Sequence, residues 1–90
     1  MIGMTEREGV LRLLPSGRWA IVRPGWAPVE ITNGELFRVE VPGKEGLHLT
    51  RMEFRHKETI RGSVAQLAGY YSVDGYALRD GLRAAIGVEE

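Results

Sequence analysis

The sequence predicts a mainly β fold, a small SH3-like antiparallel barrel in a single domain. Three observations lead there. Short runs of β-forming residues recur along the chain, separated by turns that contain Gly or Pro. One run, PVEITNGELFRVEV at Pro28–Val41, breaks at Asn33-Gly34, the dipeptide best suited to the positive φ of a tight hairpin turn. In its second arm Phe37, Val39 and Val41 alternate with Leu36, Arg38 and Glu40, so one face can be buried while the other stays wet.

Taken in order, Met1–Glu8 is polar and reads as a frayed tail. Gly9–Leu14 is a first strand, Pro15-Ser16-Gly17 a turn, and Arg18–Arg23 a second strand with Trp19 and Ile21 on one face. Pro24-Gly25-Trp26-Ala27-Pro28 is a loop, because proline lacks a ladder donor and glycine is loose. The Pro28–Val41 hairpin supplies strands three and four. Leu47–His56 is a long fifth strand whose leucines, Leu47 and Leu49, are out of phase with Met52 and Phe54, so a bulge or bend near Thr50 is expected. Residues 57–69 break the β rhythm. Ser63-Val64-Ala65-Gln66 matches a capping box, giving either a short helix over Val64–Ala68 or a loop. Tyr70–Val73 is a sixth strand and Leu82–Ile86 a closing one; Val88-Glu89-Glu90 is a tail.

The totals bound the function. Ninety residues make one domain. Twelve Lys and Arg balance twelve Asp and Glu, which argues against a dominant electrostatic grip on nucleic acid. There is no cysteine, hence no disulfide or thiolate metal site, which fits a reducing cytoplasm. No apolar run approaches the ~18 residues of a membrane span, and Met1–Glu8 lacks the apolar core of a secretory signal. A soluble cytoplasmic protein is expected.

Four segments in order, the VEITNGELFRVEV run, LTRMEFRH, GYYSVDG and DGLRAAIG, resemble a family of small bacterial domains of unknown function carried on plasmids, phages and integrative elements. The family pattern is a Thr-Arg-hydrophobic-acid strand, a glycine with paired tyrosines, and a final Gly-Leu strand. Here these are Thr50-Arg51-Met52-Glu53, Gly69-Tyr70-Tyr71 and Gly81-Leu82. The resemblance spans roughly Gly9 to Gly87 and implies a β fold and a mobile-element setting; residues 57–68 are longer than the connection it leads one to expect.

No catalytic, cofactor or metal constellation stands out. His48 and His56 lie eight residues apart on one strand, too far to share an ion if it is straight, and no serine sits in a Gly-x-Ser-x-Gly elbow. Arg51, Glu53 and Arg55 make an alternating charged stripe, read either as a wet ion-paired face or as a partner-binding one. Trp26 is either a lid on the barrel end or a binding anchor. Tyr70 and Tyr71 are adjacent on a strand, so one faces in and the other out. The expected partner-binding patch is therefore Trp26, Arg51, Arg55 and the outward member of Tyr70 and Tyr71. The leading expectation is a non-enzymatic protein-binding module, with inhibition of a host defence complex such as CRISPR-Cas as the role the resemblance invites. The alternative is nucleic-acid binding through arginines and aromatics.

Overall fold

Apolar–polar alternation marks a strand with one buried face, and it runs through most of this chain. The computed structural model describes residues 4–55, 58–60, 63–66 and 69–89. Among them are nine strands and no helix: β1 (Met4–Leu13), β2 (Trp19–Val22), β3 (Val29–Glu30), β4 (Leu36–Glu40), β5 (Leu47–Arg55), β6 (Glu58–Ile60), β7 (Ser63–Gln66), β8 (Gly69–Ser72) and β9 (Arg83–Glu89). Seven form one antiparallel sheet in the order β3-β2-β1-β9-β4-β5-β8, while β6 and β7 pair only with each other. The fold is mainly β and barrel-like, a curled half-barrel.

The Asn33-Gly34 turn forms, but it does not make a hairpin. β3 pairs with β2, and β4 pairs with β5 and β9. The turn is a corner between strands of opposite halves of the sheet. Glu35 donates its N–H to the Thr32 carbonyl at 3.1 Å, and Gly34 sits at φ 87°. Turn chemistry was readable locally; which strands pair is settled by the distant partners. This corner also explains the curl. Ile31 is bonded to Trp19 of β2, and Glu35 to Met52 of β5. In a flat sheet, β3 and β4 would stand about 19 Å apart, four spacings of ~4.8 Å. The chain from Ile31 to Glu35 reaches only about 11 Å, one ~3.8 Å step plus a turn of under ~7 Å. The sheet must bend until its two halves face each other.

The bend encloses the core. Leu11, Ile21, Ile31, Phe37, Val39, Met52, Ala84 and Ile86 are buried together, with Trp19, Val29, Tyr70 and Leu82 packed against them. Trp19 thus takes the core place its strand phase predicts. The buried hydroxyls of Thr50 and Ser72 pair with each other at 2.7 Å, which leaves neither orphaned.

Three expectations are corrected. Met4–Glu8 and Val88-Glu89 are not tails: β1 and β9 pair along their length, from Met4 opposite Glu89 to Val10 opposite Arg83. Each end is too polar to signal a strand alone and is held by the other. In the stretch expected as a short helix or loop, Glu58–Ile60 and Ser63–Gln66 pair antiparallel with a register shift at Glu58/Thr59, so Ser63 begins a strand instead of a helix, while Leu67 and Ala68 lie outside the described residues. β5 carries no bulge near Thr50. It keeps one register with β4 from Leu47 to Arg51 and one with β8 from Met52 to Arg55. Thr50 and Met52 stay inside, and Leu49 stays outside.

Candidate functional site

The unbroken phase of β5 fixes what its outer face presents. Leu47, Leu49, Arg51 and Glu53 alternate with the buried Thr50 and Met52. On β4 the outer residues are Leu36, Arg38 and Glu40, since Phe37 and Val39 are buried. Leu36 lies opposite Arg51, and Arg38 opposite Leu49. Leu36 and Leu49 are therefore diagonal cross-strand neighbours, within reach of each other. They are 59% and 60% exposed. On the far side of β5, Val73 donates its N–H to the Arg51 carbonyl at 3.1 Å and is also exposed. Leu36, Arg51 and Val73 thus form one row across three neighbouring chain segments. Glu53 and Tyr71, cross-strand partners, form the next row. Within the patch, Arg51 Nε bonds Glu53 Oε1 at 2.8 Å.

Tyr70 and Tyr71 separate as strand alternation requires. Tyr70 is opposite Phe54, meets it edge to face at 4.9 Å between ring centroids, and packs against the core. Tyr71 is the outward member. Arg55 ends β5 opposite Gly69.

Trp26 belongs to a different place. Its loop folds back over β1 and β2, on the other side of β9 and β4 in the sheet. The Arg7 guanidinium carbon lies 4.3 Å from the indole centroid and that of Arg23 5.0 Å. These are cation–π contacts. Beside them is a shallow, solvent-open recess with a cavity volume of only about 10 Å³, walled by Ile21, Ala27 and Val29 and rimmed by Arg7, Glu8, Arg23 and Trp26. Arg7 shares a strand phase with Gly9 and the buried Leu11, so the recess sits at a mouth of the barrel. Trp26 remains 46% exposed there.

The single predicted patch is therefore two surfaces: Arg51 with Tyr71 on the outer sheet face, Trp26 at the barrel mouth. Sequence reasoning missed Leu36 and Leu49 on the first and Arg7 on the second. The signal is present in the sequence: Leu36 alternates with Phe37 and Val39, and Leu49 is out of phase with Met52 and Phe54, an offset that a bulge would equally explain. Arg7 lay in a segment read as a tail.

His48 is occupied structurally: its Nε2 donates to the Glu45 carbonyl at 3.1 Å, and its ring meets Tyr76 edge to face. His56 lies outside the described residues. Among the described residues no group of three or more His, Cys, Asp or Glu is placed to hold a metal ion. No helix among them is long and apolar enough to cross a membrane. Comparison with protein-family models, curated proteins and solved structures finds no match to this chain.

Proposed function

We propose that the protein is a non-catalytic, SH3-like β-barrel module that binds another protein through the outer face of β4, β5 and β8. One observation carries this reading. Leu36 and Leu49, each about 60% exposed, stand side by side on a face that also holds Arg51, Tyr71 and Val73. Contiguous exposed apolar side chains with polar neighbours are the composition of a protein interface, and Tyr and Arg are the residues most enriched among its anchors. The Thr50–Glu53 and Gly69–Tyr71 motifs, which support a mobile-element origin by resemblance, fall on β5 and β8 of this face. That resemblance alone supports a host defence complex such as CRISPR-Cas as the partner. The cysteine-free composition supports a cytoplasmic setting.

The test pairs capture with a face-directed variant. The full chain and its Leu36→Glu/Leu49→Glu variant are immobilised and exposed to the same host extract or purified defence complex. A partner held by the parent and lost roughly tenfold or more by the variant supports docking on this face. Equal retention by a folded variant rejects it.

A second reading, single-stranded nucleic-acid binding, is favoured by the clustering of Arg7, Trp26 and Arg23. It requires affinity for an oligonucleotide that falls steeply with salt.

A further inference from the structure

The recess at the barrel mouth has features that the outer docking face does not use. Its walls, Ile21, Ala27 and Val29, are apolar. Its rim brings two guanidiniums, those of Arg7 and Arg23, onto one indole. Arg18, Arg38 and Arg51 each have a carboxylate partner, but among the described residues neither Arg7 nor Arg23 has one within ion-pair distance. The chain carries equal numbers of acidic and basic residues, so this convergence is not a by-product of excess positive charge. The indole face lessens the repulsion between the two cations and holds their planes in place. What it cannot supply is a set of oxygen acceptors for their N–H forks.

We infer that the recess binds a carboxylate-bearing segment of another polypeptide. Asp or Glu carboxylates of that segment accept hydrogen bonds from Arg7 and Arg23, and an adjoining aliphatic side chain lies over the shallow apolar surface at Ala27, Val29 and Trp26. Charge-assisted bonds of this kind are the strong ones, and half-exposed Trp26 keeps both donors oriented before the ligand arrives. A nucleic-acid strand is disfavoured, because the balanced overall charge offers no long-range attraction to a polyanion. The site is separate from the β4–β5–β8 face, and the inference does not rest on that face being a docking surface.

The test uses the capped peptide Gly-Glu-Leu-Glu-Gly, titrated into the full chain at low salt. The readout is the indole N–H resonance of Trp26, distinguished from that of Trp19 by a Trp26→Phe sample. A saturable shift of the Trp26 signal is expected, with Trp19 unmoved. Binding should weaken by roughly tenfold or more for the capped peptide Gly-Gln-Leu-Gln-Gly, and likewise for the Arg7→Gln/Arg23→Gln variant. Arg23→Gln alone, in an exposed loop, serves if the double variant does not fold. The Leu36→Glu/Leu49→Glu variant should bind the peptide normally, so failure of one surface is distinguishable from failure of the other. No saturable shift overturns the inference. So does equal affinity for the glutamine peptide or for the arginine variants, or tighter binding of a ten-nucleotide thymidine strand.

Discussion

Arg38 on β4 holds Glu6 on β1 across an intervening strand. Its Nε–H donates to Glu6 Oε2 at 2.8 Å and its Nη2 donates to Oε1, a forked pair that raises the guanidinium above its ordinary pKa. Between them runs β9, where the residues opposite Arg38 and Glu6 are Ala85 and Gly87. Two of the smallest side chains in the chain leave the span clear. The bond ties the halves of the sheet together from outside, while Ala84 and Ile86 do so from inside.

Both partners of that pair are solvent-exposed, so its contribution is modest and open to screening. Arg38→Gln should lower the melting midpoint slightly at low ionic strength, and the difference from the parent should shrink as salt is raised to about 1 M. Thermal melts at two salt concentrations check this. A difference that does not change with salt would show that Arg38 acts through packing instead.

Gly9 and Gly34 are required for different reasons, and the expected order of damage follows. A Cβ on Gly9 would stand 2.3 Å from the Val22 carbonyl oxygen and 3.0 Å from Ile21 Cγ2, with backbone that cannot yield. Gly34 meets nothing within 4 Å, but its φ of 87° suits only glycine well. Gly9→Ala should cost about 3 kcal/mol by overpacking, and Gly34→Val about 1–2 kcal/mol by strain. Urea denaturation that finds Gly9→Ala the milder change would contradict the close packing of β1 on β2.

The Thr50–Ser72 hydroxyl pair should behave as a unit. Thr50→Val keeps the shape but strands a buried Ser72 hydroxyl, at a cost of about 1–3 kcal/mol. Adding Ser72→Ala should recover part of that loss. A double-mutant cycle measures it, and strictly additive losses would mean that the two groups are not coupled.

Trp26 and Phe37 should differ sharply. Phe37 is 1% exposed and fills the core, so Phe37→Ala should cost about 3–5 kcal/mol. Trp26 keeps 46% of its surface, and its partners are two cations, so Trp26→Ala should cost only about 1–2 kcal/mol. Comparable losses in chemical denaturation would make Trp26 a core residue after all.

β6 and β7 pair with no third strand, and isolated two-stranded ribbons are marginal. Amides of Glu58–Ile60 and Ser63–Gln66 should exchange faster than those of Leu36–Glu40, which is paired on both sides. Hydrogen exchange with mass-spectrometric readout resolves these segments. Equal protection would show that the ribbon is docked.

What the sequence revealed was local. Alternation at Phe37 and Val39 gave the buried face of β4, and Asn33-Gly34 gave a turn with Gly34 at positive φ. What it concealed was non-local. Nothing within Pro28–Val41 states that Val29 pairs with Ile21 and Val39 with Ala84. Polar Met4–Glu8 carries no strand signal until β9 is laid against it. Of the candidate site, Trp26, Arg51 and Tyr71 were readable as residue types in exposed-looking positions. Their separation into two surfaces depends on the strand order. Leu49 was misjudged because an exposed leucine looks like an error to be repaired by a bulge, when it is the feature that marks the face.

The strand order also has a temporal side. β9 holds the middle place of the seven-stranded sheet, between β1 and β4, yet it follows the other six in sequence. Before Arg83–Glu89 leaves the ribosome, the strands of the seven-stranded sheet can form only two fragments: β1 with β2 and β3, and β4 with β5 and β8. Each then exposes the edge and the apolar side chains that β9 will cover. Assembly therefore waits for Arg83–Glu89 to emerge, and a stall or cleavage before Arg83 leaves two adhesive half-sheets in place of a shortened barrel.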